Sequence, residues 1–312
     1  MAVSGTNTFS QTRNDIITRA LSILGVKTRG RALTAEEVNE ASDALNLFVK
    51  GLKSEGVYLW KYAEGTLFLK VGQESYKMDG STANATESFV QTTTSSAASS
   101  GAAAIVVTSS SNFVAGYFVG ALKNDGDIFW TTVASVAGST INLDDALNDD
   151  VLSGAPVFCY QTKIIRPEKI TSARRRDSSG YDTPLNELAR SDYFNLAQKT
   201  VAGQPTQYYY DKQLTYGALY LYQAPDDATN TIKFTFQKMF FDFDNGNDNP
   251  DFPIEWAETL AFGLASRMVY DYGIDKTKAE LIKRTADEML RNLKGYDRED
   301  SVYFVPTYNL YQ

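Results

Sequence analysis

The sequence predicts an α+β chain: an α-helical bundle formed by N- and C-terminal helical hairpins, with a large antiparallel β-rich insertion that includes a small barrel or sandwich. Three observations carry that expectation. Apolar residues recur at helical spacing at both ends of the 312 residues. The middle is cut into short runs of alternating character by Gly and Asn-Asp-Gly turns. Two helical hairpins separated by that middle can each hide an apolar stripe by packing on one another.

Element by element, Ser10–Leu24 repeats Ile16, Ile17, Ala20, Leu21 and Leu24, and Gly25 supplies a stop. Thr34 and Glu37 form a capping box ahead of a second helix whose stripe is Val38, Ala41, Leu45, Phe48 and Leu52. Gly65–Val71 and Glu74–Met78 read as a hairpin. The Ser, Thr and Ala stretch from Ser81 to Ser111 offers little to bury, so a flexible or thinly packed connection is expected. Strands follow at Ala104–Thr108, Tyr117–Leu122, Ile128–Ser135, Ser139–Leu143 and Pro156–Gln161, a spacing that fits a small barrel or sandwich.

A second β segment comprises Glu168–Arg176, Gln207–Gln213, Gly217–Tyr222 and Thr231–Phe240, interrupted by a short helix near Asp192–Lys199. In the last strand Ile232, Phe234 and Phe236 alternate with Lys233, Thr235 and Gln237, the period of a half-buried strand. Pro253 sits in the first turn of a third long helix that ends at Gly273, and Lys276–Leu293 is the fourth, with Ala279, Ile282, Ala286, Met289 and Leu293 on one face. The expected division is a discontinuous helical core of 1–62 with 250–296, a hairpin and Ser/Thr-rich connection of 63–100, a small β-barrel at 101–162, a second β segment at 163–249 and an extended tail at 297–312.

Composition removes whole classes of chemistry. There is no histidine, so Ser-His and Cys-His nucleophile systems and imidazole metal sites are impossible. Cys159 is the one cysteine and sits in an apolar strand, so no intrachain disulfide can form and folding in a reducing cytoplasm is expected. No Walker loop, G-x-S-x-G or dinucleotide fingerprint is present. Catalytic, cofactor and metal residues are therefore expected to be none, and the chain is expected not to be an enzyme. A net charge of −8 argues against blanket phosphate neutralisation, and no apolar run is long enough to span a bilayer.

The acidic run Asp242, Asp244, Asp248 and Asp251 fails as a calcium loop: with Gly246 as the invariant glycine, Phe241, Phe243 and Phe252 fall on ligand positions. A turn that also caps the third long helix is expected instead. Lys163, Arg166, Lys169, Arg174, Arg175 and Arg176 form the one basic cluster, read either as a solvated strand face or as an inter-subunit or DNA-facing patch. Tyr208, Tyr209, Tyr210, Tyr216, Tyr220 and Tyr222 serve equally as interface residues or as strand packing. The aromatic tail, with Tyr303, Phe304, Val305, Tyr308, Leu310 and Tyr311, is expected either to fold back on its own domain or, the favoured reading, to augment a neighbour's surface.

Several of these segments, in this order, resemble one family. Ile164–Ile170 with Ala173 and Arg174, Pro184–Leu185, Ser191–Tyr193, the Gly203–Pro205 turn, Tyr209–Asp211, Gly217–Leu221 and Asp251–Trp256 look like the head-to-tail adaptor proteins of short-tailed bacteriophages, which include tail tubular protein A and the smaller tail accessory, or head-completion, factors. Residues 10–62 and 160–296 carry the resemblance. It implies a non-enzymatic virion protein without cofactors, assembled in the host bacterial cytoplasm into a homo-oligomeric ring, typically a dodecamer, at the portal vertex. Such a ring binds the portal protein, receives the tail nozzle and fibres, and extends the channel for passing double-stranded DNA. It also helps retain the genome before DNA ejection, and contacts no membrane. Portal binding would fall on Tyr303 to Tyr311. The alternative from the residues is a glycan-binding or glycan-depolymerising tail component, favoured by aromatic-rich strands and plentiful carboxylates. A host-side adhesion module is a third reading.

Overall fold

The two N-terminal helices form where their apolar stripes and caps place them. A computed structural model of the chain describes residues 9–28, 30–52 and 59–296. Helix α1 spans Arg13–Leu24 and α2 spans Ala35–Leu52. The Thr12 hydroxyl accepts from the Asp15 amide while the Asp15 carboxylate accepts from the Thr12 amide, a reciprocal cap that satisfies two otherwise orphaned donors. Thr34 and Glu37 do the same for α2. Gly25, at φ 83°, ends α1 in the left-handed conformation with its amide directed at the Leu21 and Ser22 carbonyls.

The chain divides into two compact units, one made of residues up to Trp60 with those from Phe240 onward, the other Lys61–Met239. In the first, α4 (Ala257–Met268) packs against α1, α2 and α5 (Lys276–Tyr296). Ile16, Leu21, Leu45, Leu52, Leu260 and Leu264 are wholly or almost wholly buried in the shared core. Gly263 lets α4 come close: a Cβ there would lie 2.1 Å from the Phe48 ring. The acidic run is tied to α1, not to the third long helix as expected. Carbonyls of Asp248 and Gly246 accept from the Arg13 and Asn14 amides at 2.8 and 3.2 Å, whereas α4 has no side-chain cap. Asn46 of α2 clamps the same run through both backbone groups of Phe243.

The second unit overturns the expected fold class. The described residues carry sixteen strands against five α-helices, so the molecule is mainly β-sheet and not a helical bundle with an insertion. The terminal stripes dominate the sequence signal because a helix shows its period over many residues. Strands of two to ten residues with polar outer faces leave a much weaker trace, although together they hold more residues than the α-helices.

The larger sheet has eight strands. They are β1 (Tyr62–Phe68), β2 (Ser75–Met78), β3 (Ala85–Thr86), β10 (Lys169–Arg176), β11 (Asp182–Glu187), β13 (Gln207–Lys212), β14 (Gly217–Tyr222) and β16 (Thr231–Gln237), arranged β2-β14-β13-β11-β10-β16-β1-β3. It curls until its edge strands, neighbours in sequence, nearly meet, and the Ala83 amide donates to the Lys77 carbonyl across the gap. Near closure hides edge hydrogen-bonding groups that would otherwise pair with other chains. Ile232, Phe234 and Phe236 of β16 fill the interior with Leu67, Ile170, Tyr208, Leu219 and Leu221, matching the alternation in the sequence. Pairing is antiparallel except between β11 and β13. There the chain crosses over through α3 (Arg190–Asn195) before returning in the same direction. A separate two-stranded parallel pair joins β12 (Ala202–Gly203) to β15 (Ala224–Pro225).

The smaller sheet orders β4 (Val90–Thr93), β9 (Pro156–Tyr160), β6 (Phe118–Leu122), β7 (Ile128–Ala137), β8 (Thr140–Leu143) and β5 (Ala104–Val106). Its outer strands meet at one bridge, Thr94 to Val107. The expectation of a thinly packed connection over Ser81–Ser111 is thereby corrected, since β3, β4 and β5 lie in it. Its hydroxyls bond internally: the buried Thr94 donates to the Leu152 carbonyl at 2.6 Å and accepts from the Ala155 amide at 3.0 Å.

Phe68, the last residue of β1 and 2% exposed, joins the two sheets. The rings of Phe89, Trp130, Phe158 and Tyr160 surround it at centroid distances between 4.9 and 6.1 Å. Phe68→Ala is expected to cost about 3–5 kcal/mol, the usual range for emptying a buried aromatic site, read as a lower urea midpoint of the Lys61–Met239 unit. Gly263→Ala is expected to destabilise by about 1–3 kcal/mol through displacement of the Phe48 ring. That outweighs the gain of about 1 kcal/mol from replacing a helical glycine, and thermal unfolding would measure the net sign.

Candidate functional site

Two of the six predicted basic residues, Arg174 and Arg176, share one network on one face of the larger sheet. Arg174 and Arg176 are two apart on β10 and project to the same side. Asp182 of β11 stands opposite Arg176 and accepts from it twice, at 2.8 and 2.7 Å, and from Arg174 at 3.1 Å. Glu64 of β1 takes the other side of Arg174 at 2.5 Å. Lys233 of β16, paired across from Arg174, donates to the Thr66 hydroxyl at 2.6 Å and lies over the Phe89 ring. Burial lowers the pKa of the Lys233 ammonium, with Glu64 opposing the shift. Arg175 points to the opposite face of the strand, and its Nε is buried without a hydrogen-bond partner.

The remaining cations act elsewhere. Lys163 donates to the Ser81 carbonyl at 2.8 Å and covers the Phe118 ring. Arg166 donates to the Gln213 carbonyl at 2.6 Å. Lys169 is exposed at the start of β10. Strand alternation and local acids thus divide what the sequence lists as one patch. The predicted portal-binding residues Tyr303, Phe304, Val305, Tyr308, Leu310 and Tyr311 lie outside the described residues.

The tyrosines are largely taken up by packing. Tyr208 and Tyr210 turn inward with Leu219 and Leu221. On the other face Tyr209 and Tyr220 stack at 5.8 Å and 18°, and α3 lays Tyr193 and the half-exposed Phe194 over them. Arg190 joins this cluster through Asp211 at 3.1 Å and through the Phe194 ring. Tyr193 is pushed up to about 12, chiefly by burial, and Tyr209 is raised, first by burial and then by its hydrogen bond to Asp211.

The site the sequence reading missed is a cleft of about 430 Å³ within the β unit, between the β1–β2 side of the larger sheet and the β6–β7 hairpin of the smaller. Phe68, Tyr76, Phe129 and Trp130 contribute rings; Asn84, Asn148, Asp127 and three lysines contribute polar groups. Trp130 fits because Gly120 faces it across the β6–β7 pair, where any Cβ would come within 2.6 Å of the indole. The Tyr76 hydroxyl is fixed by the backbone of Lys70, accepting from its amide at 3.0 Å. Burial drives its pKa far above the ordinary tyrosine value, against the Lys70 bond and with help from Asp127. The Asn84 oxygen accepts from the Tyr160 hydroxyl at 2.8 Å. Asp127 follows the Asn124-Asp125-Gly126 turn, and its Oδ1 is buried with no hydrogen-bond partner. Lys123 and Lys77 are held by Asp125 and Asp79 at 2.5 and 3.1 Å. The Asn-Asp-Gly turn was legible as a turn; that it faces the β1–β2 side was not.

Among the described residues no group of three or more Cys, Asp or Glu is placed to hold a metal ion, and no helix is long and apolar enough to cross a membrane. Cys159 is buried, and burial lifts its thiol to about 11 against a backbone hydrogen bond from Val114.

No family model matches the chain, and no curated protein matches it. Among solved structures, it is similar to the Gp54 tailspike of Acinetobacter baumannii bacteriophage AP22 in complex with A. baumannii capsular saccharide. The likeness has 18% identity and a TM-score of 0.21, and covers 23% of this chain. The chain spans 14% of the tailspike's length.

The Asp182 carboxylate is held below the usual aspartate range, first by the Arg176 hydrogen bond and then by the Arg176 charge and Arg174, with burial opposing. A depressed folded-state pKa means stability that is complete above the unfolded value of about 4 and lost as pH falls toward the folded one. Asp182→Asn is therefore expected to be less stable than the wild type at pH 7. The difference should shrink as urea titrations move from pH 5 to pH 3.

Proposed function

We propose that this chain is a non-enzymatic structural subunit of a bacteriophage virion: an adaptor that forms a homo-oligomeric ring, twelve copies in the family it resembles, between the portal and the tail. The observation that supports this reading best is the shared core of α1 and α2 with α4 and α5, elements from opposite ends of the chain, in the segments that carry the family's motifs. Ring contacts would be heterologous, one face of each subunit meeting a different face of the next. With a net charge of −8 per subunit, a channel wall of like sign would let DNA slide past without specific binding. The spent cations of β10 agree with that, since Arg174 and Arg176 are neutralised by Glu64 and Asp182. In this reading the protein is built into the tail at the portal vertex after assembly in the host cytoplasm, and the nozzle and fibres are its distal partners.

Negative-stain microscopy of the full chain, alone and mixed with the portal protein of the same virus, tests the proposal. A closed ring seated on the portal is expected. A monomer that leaves the portal bare under conditions where the portal itself is intact would overturn it.

A second reading, a glycan-binding tail component, is favoured by one feature: the ring-lined cleft with an uncommitted buried carboxylate oxygen. The two readings are compatible, because a β unit of a tail structural protein can carry a saccharide site.

A further inference from the structure

The cleft beside Trp130 holds an imbalance of polar groups that points to a ligand. Its volume of about 430 Å³ falls within the range of about 300–1,000 Å³ typical of small-molecule sites. Aromatic side chains line it, yet it is not an apolar pocket. Asp127 Oδ1 is a buried acceptor without a hydrogen-bond partner, a state that costs free energy until a donor arrives. Asn84 has its oxygen committed to Tyr160, so the Nδ2 hydrogens are what it has to offer. Asn148 supplies another amide at the same opening.

The charges narrow the ligand class. Lys70, Lys77 and Lys123 all line the cleft, which disfavours a cationic guest. Lys77 and Lys123 are already paired with Asp79 and Asp125, and the acceptor in want of a partner is itself anionic, which disfavours an anionic one. What remains is a neutral molecule rich in hydroxyl donors and acceptors with an apolar face to lay on a ring. A pyranose has both.

We propose that this cleft binds one or two pyranose rings of an uncharged glycan. Asp127 Oδ1 accepts from a sugar hydroxyl, Asn84 and Asn148 donate to ring or hydroxyl oxygens, and the Trp130 indole on the β6–β7 side forms the wall against which the sugar's C–H face packs. The inference rests on the glycan-binding reading for its ligand class and adds the site. It is independent of whether the subunit forms a ring.

The protein has three tryptophans, Trp60, Trp130 and Trp256, so the full chain labelled with 5-fluorotryptophan gives a direct readout. Maltotriose and triacetylchitotriose are titrated separately by ¹⁹F NMR and by calorimetry, with Trp130→Phe assigning the resonance. The expected result is a shift confined to Trp130 with at least one trisaccharide. Binding should weaken about tenfold or more in Asp127→Ala, the scale of a lost hydrogen bond to a charged group, and by a smaller factor in Asn148→Ala, whose exposed position leaves the fold intact. Thermal unfolding of both variants controls for misfolding. If a trisaccharide binds but neither variant weakens it, or the shift falls on Trp60 or Trp256, the site is wrong while the glycan reading stands. If neither sugar binds, both fail. Binding of spermidine that is lost in Asp127→Ala would make this a cation site and overturn the assignment.

Discussion

Phe68 is the centre of the aromatic cluster where the two sheets meet. It ends β1 of the larger sheet, and its neighbours Trp130, Phe158 and Tyr160 belong to the smaller one, with Phe89 in the short link between them. Tilted and edge-to-face rings at about 5 Å gain a little beyond burial alone, and the site excludes water from the place where the β6–β7 hairpin approaches the β1–β2 turn. The cleft exists because of that approach: Phe68 forms its floor, and Trp130, held between Phe68 and Tyr160, forms one side. Gly120 is the quiet requirement behind it, since the indole occupies the volume any side chain would need.

Both sheets solve the same problem by curling. A sheet of short strands exposes unpaired amides and carbonyls along its edges, which can template pairing with another chain. The larger sheet brings β2 and β3 almost into register across the 79–84 turn, and the smaller brings β4 and β5 together at Thr94 and Val107. Serine and threonine are well suited to the seams. A threonine such as Thr94 donates to one backbone carbonyl and accepts from another amide while its methyl remains in the core.

The helical unit is held by complementary means. Two reciprocal caps secure the starts of α1 and α2, and the acidic run between β16 and α4 reaches back to α1 with backbone carbonyls while Asn46 grips its middle. Charge adds to that contact, since Lys50 of α2 pairs with Asp242 at 2.6 Å, while Asp248 folds the turn by accepting from the Asp244 and Asn245 amides. The same economy marks β10, where three consecutive arginines look like a phosphate-binding stripe in one dimension. In three dimensions two of them share Asp182 and the third faces the other way.

Local pattern determined the four long helices, the Thr34–Glu37 cap of α2, the Gly25 stop of α1 and the alternation of β16, because each depends on residues within a few positions of one another, and composition alone excluded histidine chemistry. Neither determined the balance of the fold. The stripes of α1, α2, α4 and α5 advertise themselves over twelve to twenty-one residues, while β3, β4 and β11 are short, partly polar and given a face only by their neighbours. Partner choice across long separations decided the rest: which carboxylate meets Arg174, which ring covers Tyr209, and that Asp127, 59 positions after Phe68 in the chain, ends up lining the same cleft. Such pairings are fixed by sheet register and packing, which no short window of sequence encodes.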